Sequence, residues 1–297
     1  MTENGNDLGQ PAAKPGVARR RTSLPIMILA VLCALATFLT WYFTWFGRGL
    51  SDTDISTYLA DENHPRHVQH ALLQIQERLE KHDTSARQWY PRIVQLAGDP
   101  ETEYRLTAAW VMGFDNRSDE FHQTLLQLLH DSEPLVCRNA ALALVRFNDS
   151  GGRGVLLATL RPYPVTASTA GIMTSTLSEG SLVSRGTLLA RISRADNVVI
   201  EVRSSLPGRI NKIVATPAAA LGSGDTILTI NADANSVWEA LRGLALIGQA
   251  EDLSEVERYA RGVDSLPDRI KQQAALTAQA IQSRSKQAGQ KQSALTP

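Results

Sequence analysis

Three histidines at three-residue intervals, His64, His67 and His70, are half of the six in this 297-residue chain. Imidazoles so placed can hold a metal or relay protons, and on a helix His67 and His70 share a face. Pro65 separates His64 from the other two, and no adjacent cysteine completes a tetrahedral site, so no metal is expected there. Cys33 and Cys137 fall in different predicted helices, without a disulfide scaffold or a haem-attachment motif. Gly-rich phosphate loops, a nucleophile elbow and paired catalytic carboxylates are all missing. The chain therefore reads as no enzyme. Trp110 and Trp238, spaced among Ala and Leu, are expected in the core. Arg203, Arg209 and Lys212 give only a modest basic face. With 30 basic against 30 acidic residues, the chain lacks the basic excess that displaces counterions from phosphates, and no nucleic-acid partner is expected.

The elements that would carry these residues are mostly helical and repetitive. From about Ile55 to Leu160 the apolar spacing is that of amphipathic helices. The stretch IVQLAGDPETEYRLTAAWVMGFDNRS, from Ile93, lies over LLQLLHDSEPLVCRNAALALVRFNDS, from Leu125, at a constant offset of 32 residues. Leu96 matches Leu128, Asp99 matches Asp131, and Ala108-Ala109 matches Ala140-Ala141. A looser copy runs from Leu59 through Asp61 and Pro65 to Leu73. Each unit reads as helix, Asp-containing turn, helix, with Asp99 and Asp131 as expected N-caps. Alanines at fixed positions let helices approach closely while Leu and Val fill the layers between units. The pattern resembles the HEAT or armadillo class of α-solenoid, over roughly 100 residues, and that resemblance implies partner binding rather than catalysis. After the helical region is interrupted, Val237–Leu246, Asp252–Ala260 and Pro267–Ile281 read as further helices.

The interruption, Pro164 to Ala232, is rich in Val, Ile, Thr, Ser and Gly and reads as short strands. It is duplicated. Gly171 matches Gly208, Val183 matches Leu221, Gly186 matches Gly224, Leu188-Leu189 lies over Ile227-Leu228, and Ile192 matches Ile230. Gly171, Gly180, Gly186, Gly208 and Gly224 are expected at structural turns, where glycine tolerates positive φ; Gly180 is replaced by Ala218 in the second copy. The paired half-motifs resemble the biotinyl and lipoyl domain family and the related barrel-sandwich hybrid of HlyD-type membrane fusion proteins. In that family the resemblance implies a prosthetic group on a lysine between the halves. Counting back from Gly208, that position is Asn197, which cannot form the amide, so neither biotin nor lipoate is expected and no cofactor is assigned. HlyD-type adaptors carry a long helical hairpin between the halves; here about ten residues, Ser193 to Val202, connect them.

At the other end, Leu24 to Phe46 is a 23-residue run without a charge, the length of a membrane-crossing helix. It ends in an aromatic cluster, Trp41 to Phe46, and follows Arg19, Arg20 and Arg21, which by the positive-inside bias stay cytoplasmic. The run exceeds a signal peptide's apolar region, and bulky aromatics stand where a cleavage site would need small residues. Together these readings predict an α+β multidomain chain. Residues 1–23 would be a cytoplasmic basic tail and 24–46 a single transmembrane helix. HEAT-like repeats over 55–163 would be interrupted by a lipoyl-like β barrel-sandwich module over 164–232 and resume over 236–282, before a disordered tail at 283–297. The expected place is a bacterial inner membrane, N-terminus cytoplasmic and C-terminal region periplasmic. The expected role is a scaffold assembling other membrane or periplasmic proteins, with the lipid bilayer contacted through Leu24 to Phe46. The alternative is the adaptor subunit of a HlyD-type transport system.

Overall fold

In the computed structural model, residues 24–45, 49–263 and 266–295 are described. The chain divides into two units, Met1–Gly49 and Leu50–Pro297. In the first, helix α1 spans Leu24–Trp45. Among the described residues, no helix is long and apolar enough to cross a membrane. The transmembrane helix predicted over 24–46 is corrected accordingly. With it go the single-pass inner-membrane location, the cytoplasmic and periplasmic sides and the bilayer as a partner. The basic tail of residues 1–23, Phe46, and the side chains of the aromatic cluster lie outside the described residues.

In the second unit, antiparallel helices come in pairs. Helix α2 (Asp52–Ala60) opens with a reciprocal cap between Ser51 and Asp54, which satisfies backbone N–H groups that the first turn leaves free. It pairs with α3 (Pro65–Glu80), where Pro65 sits at the first turn, the one helical place its missing N–H costs nothing. A 3₁₀ turn, Thr84–Trp89, leads into α4 (Tyr90–Ala97), paired with α5 (Thr102–Met112). Next come α6 (Asp119–Leu128) and α7 (Pro134–Arg146), then α8 (Arg153–Thr159). The partner of α8 is α9 (Ala234–Ile247), which packs on it from the far side of the β region. The last pair is α10 (Leu253–Arg261) and α11 (Asp268–Leu295). The second helices stack in series, α3 on α5, α5 on α7, α7 on α9 and α9 on α11. Ala108, Ala109, Ala140 and Ala141 are all fully buried where these layers meet. Helix α11 runs on to Leu295, where a disordered tail is predicted from 283. Its Ala, Gln, Lys and Arg content has high helix propensity, so a polar composition there is compatible with helix.

The β region occupies the turn between α8 and α9. Its eight strands are β1 (Tyr163–Thr166), β2 (Gly171–Thr176), β3 (Leu182–Val183), β4 (Leu188–Ser193), β5 (Val199–Arg203), β6 (Gly208–Ile213), β7 (Ala220–Leu221) and β8 (Thr226–Ala232). They form two four-stranded antiparallel sheets, β1-β8-β6-β3 and β5-β4-β2-β7. Exchanging the halves, β1 for β5, β2 for β6, β3 for β7 and β4 for β8, turns one sheet order into the other. The two share one apolar core that includes Met173, Leu189, Ile192, Ile210, Ile227 and Ile230. They do not close into the predicted barrel: each sheet ends in a two-residue strand, β3 or β7, too short to bond onward to another edge. Entry and exit strands pair, Tyr163 opposite Ile230, so the insert leaves and rejoins the helical array at one place.

Candidate functional site

Polar side chains link the turns of the first three helix pairs: Arg92 of α4 donates to the Leu59 carbonyl and pairs with Glu62 in the first turn, and the second and third turns are joined in the same way. Asp99 and Asp131 do not cap helices. The residues in the capping positions are Glu101 and Glu133, and each aspartate instead accepts the N–H two residues on, Asp99 from Glu101 and Asp131 from Glu133, both at 2.8 Å. The reason is geometric: an aspartate carboxylate reaches its own i+2 amide and closes the turn by itself. Arg105 then ties the two turns together. Its Nε and Nη2 grip both oxygens of Asp131, at 2.7 and 3.0 Å, while Nη1 donates to the Asp99 and Pro100 carbonyls. Burial alone would raise the Asp131 carboxyl, but the Arg105 guanidinium and the Glu133 N–H outweigh it and hold the group below the usual carboxylate range.

In the first pair's turn, His64 and His67 both face Asp61, while His70 does not join them. Its ring stands 6.1 Å from Tyr58. Hydrogen bonds from His64 and then His67 hold the Asp61 carboxyl below its ordinary range. Sequence reasoning passed over Asp61 because it ends α2 and belongs to the turn; its signal is the spacing Asp-x-x-His-x-x-His.

The β insert rests against the starts of α5 and α7, near Glu103 and Glu133. Arg185, between β3 and β4, forms an ion pair with Glu103 at the start of α5. A cavity of about 240 Å³ lies at the seam, walled by Pro134, Cys137, Arg138, Val155, Tyr163 and Ile230. Arg138 donates through Nη1 to Ser236 Oγ, and its Nε is buried without a hydrogen-bond partner. Burial pushes the Arg138 guanidinium down, against the pull of Glu239 and Asp233. Burial likewise pushes the Cys137 thiol up, which removes it as a ready nucleophile. Cys33 and Cys137 are both free thiols.

Among the five glycines singled out in the insert, Gly180, Gly186 and Gly224 have φ of +80°, +82° and +91°. Gly171 and Gly208 do not sit at turns; they open β2 and β6 and have ordinary φ. Their role is close approach: a Cβ at Gly171 would fall 2.6 Å from Ile192 Cγ2, and one at Gly208 2.8 Å from Ile230 Cγ2. Ala218, standing in for Gly180, keeps the left-handed backbone at φ +70°. Asn197 also has positive φ, +62°, in the turn between β4 and β5, where its N–H donates to the Arg194 carbonyl. Asparagine tolerates that conformation better than most side chains. Arg203 and Arg209 spend donors on the Gly186 and Gly180 carbonyls, so they buttress turns.

On the second helices, a groove of about 460 Å³ is lined by Trp110, Leu142, Arg146, Glu239, Arg242 and Leu246. Trp110, expected in the core, is 37 % exposed and Leu246 64 %. Trp238 is half-buried, with Arg242 stacked 4.7 Å above its ring. Trp110 lines this groove between successive second helices, edge-on to Phe114, a placement its Ala-rich surroundings do not encode.

Residues 90–171 match the HEAT repeats family. The match takes in α4 to α8, the region of the turn aspartates and of Arg105. HEAT repeats present extended helical surfaces to other proteins. No curated protein matches the chain. The solved structure of a single-chain, multi-domain long-chain acyl-CoA carboxylase is similar over 35 % of this chain at 19 % identity, with a TM-score of 0.23. This chain covers 10 % of that one, and the likeness carries no inference about fold or activity.

Proposed function

We propose that the chain is a non-enzymatic scaffold that gathers partner proteins on its HEAT-like helices, with the β insert as a second docking element on the same body. The observation that carries this reading is the helical core passing beneath the insert: Leu156 and Leu160 of the α8 region pack with Val237, Leu241 and Leu244 of α9. Because α8 and α9 remain a packed pair, the insert is held against the helices instead of hanging from a linker. One partner can then contact both parts. The groove around Trp110 and Leu246 supplies an exposed aromatic and an exposed apolar side chain beside Arg146 and Arg242, the mixture that anchors protein interfaces.

The matched halves of the insert support kinship with biotinyl and lipoyl domains, in a form that keeps a docking shape and places Asn197 where carriers need lysine. A HlyD-type transport adaptor is the weaker reading, since the β4–β5 connection is a tight turn where that class carries a long helical hairpin. A photo-crosslinking amino acid placed at Leu246 in the groove, and separately at exposed Val198 on the insert, tests the scaffold. The same partner captured from both positions in cells supports it. Different proteins at the two positions, or none at either, overturn it.

A further inference from the structure

The turn between α2 and α3 holds three potential ligand atoms on a rigid backbone. The His64 N–H donates to the Asp61 carbonyl at 3.1 Å, and the His67 N–H to the His64 carbonyl at 2.8 Å. Each residue is thus locked one turn above the last, and Pro65 starts α3 without interrupting the series. The side chains converge. His64 Nδ1 lies 2.9 Å from both Asp61 carboxylate oxygens, and His67 Nδ1 lies 2.7 Å from Oδ2. One carboxylate oxygen therefore serves two ring nitrogens, and all three ligand atoms fall within 4.8 Å of one another. Tyr58 stacks on His67 at 4.4 Å and 16°, which fixes that ring. His64 is 66 % exposed, so its ring can turn and the outer face of the cluster is open to water.

We propose that Asp61, His64 and His67 form a binding site for a zinc-class divalent cation, with two Nδ1 atoms, one carboxylate oxygen and a water as ligands. Imidazole and carboxylate suit such ions. Zinc bonds of about 2.0–2.2 Å in a tetrahedron separate the ligand atoms by roughly 3.3 Å, so the 2.7–2.9 Å contacts need only small outward rotations of the Asp61 carboxylate, away from His67, and of the exposed His64 ring. Each ring would carry its remaining proton on Nε2. The bound ion replaces the two N–H···O bonds and bridges the end of α2 to the first turn of α3, at the outer end of the helical array. This inference is independent of the scaffold role.

The test is calorimetric titration of chelator-treated full chain with Zn²⁺, with Co²⁺ absorption as a second readout of tetrahedral coordination. We expect one ion per chain at micromolar affinity. Asp61→Asn or His64→Asn should weaken it by about 10-fold or more, whereas His70→Asn should leave it unchanged. His64 is exposed enough that its substitution spares the fold, which circular dichroism checks, so the result stands even where Asp61→Asn unfolds. A wild-type Kd weaker than about 100 μM, a His64→Asn chain that binds as the wild type does, or an equal loss from His70→Asn would overturn the proposal.

Discussion

Removing the Arg105 side chain is the sharpest probe of how successive HEAT-like units are held in register. Arg105 makes four hydrogen bonds, two of them bidentate to Asp131, and the two side chains are only 13 % and 9 % exposed. Arg105→Ala leaves the Asp131 carboxylate nearly buried without its cation, a loss of about 3–5 kcal/mol for a broken buried pair. The low end, about 3 kcal/mol, is expected, because the Glu133 N–H still supports the carboxylate. At 2–4 °C per kcal/mol for a chain of this size, thermal unfolding followed by circular dichroism at pH 7 should shift down by roughly 6–12 °C. Arg105→Lys keeps the charge but not the fork and should recover about half of that. In a double-mutant cycle with Asp131→Ala, the second substitution should cost little once the first is made. The pH dependence has a definite sign. The Asp131 carboxyl is held below its ordinary range when folded, so its contribution is present above the unfolded value near 4 and is lost as pH falls through the lower folded value. Wild type and Arg105→Ala should therefore converge in acid. A loss under about 1 kcal/mol, or additive single mutants, would refute the clamp.

Gly171→Ala and Gly208→Ala should each destabilise the insert by about 1–3 kcal/mol through overpacking, read by local hydrogen exchange in β2 and β6; tolerance of both would mean the strands can spread. Ala218→Gly should stabilise by about 0.5–1 kcal/mol by relieving the positive φ, and a lower melting temperature would count against strain at that turn. Intact mass should equal that of the 32.4 kDa sequence with no biotinyl or lipoyl addition, and any such adduct would contradict the reading of Asn197.

Much of the helical array was open to reading in the residues themselves. Apolar periodicity and alanines recurring at an offset of 32 report a local property, namely which face of each helix can be buried, and the HEAT repeats match over 90–171 agrees with it. The duplication of the β region was equally plain, since matched Gly, Val and Ile positions need no knowledge of pairing. Which neighbour covers a face, and which groups meet across a turn, depend on the whole chain. Only the tertiary structure exposed Trp110, assigned Gly171 and Gly208 to close strand approach, and left the two sheets unclosed because β3 and β7 are so short. It also replaced His70 by Asp61 in the histidine cluster. Apolar length alone suggested a membrane crossing at 24–46, whereas among the described residues no helix is long and apolar enough for one. Composition likewise suggested disorder past Gln282, where α11 continues. Side-chain type constrains what a segment can bury or bond; the partners are set by contacts between residues far apart in sequence, as where Leu156 meets Val237 beneath an insert of some seventy residues.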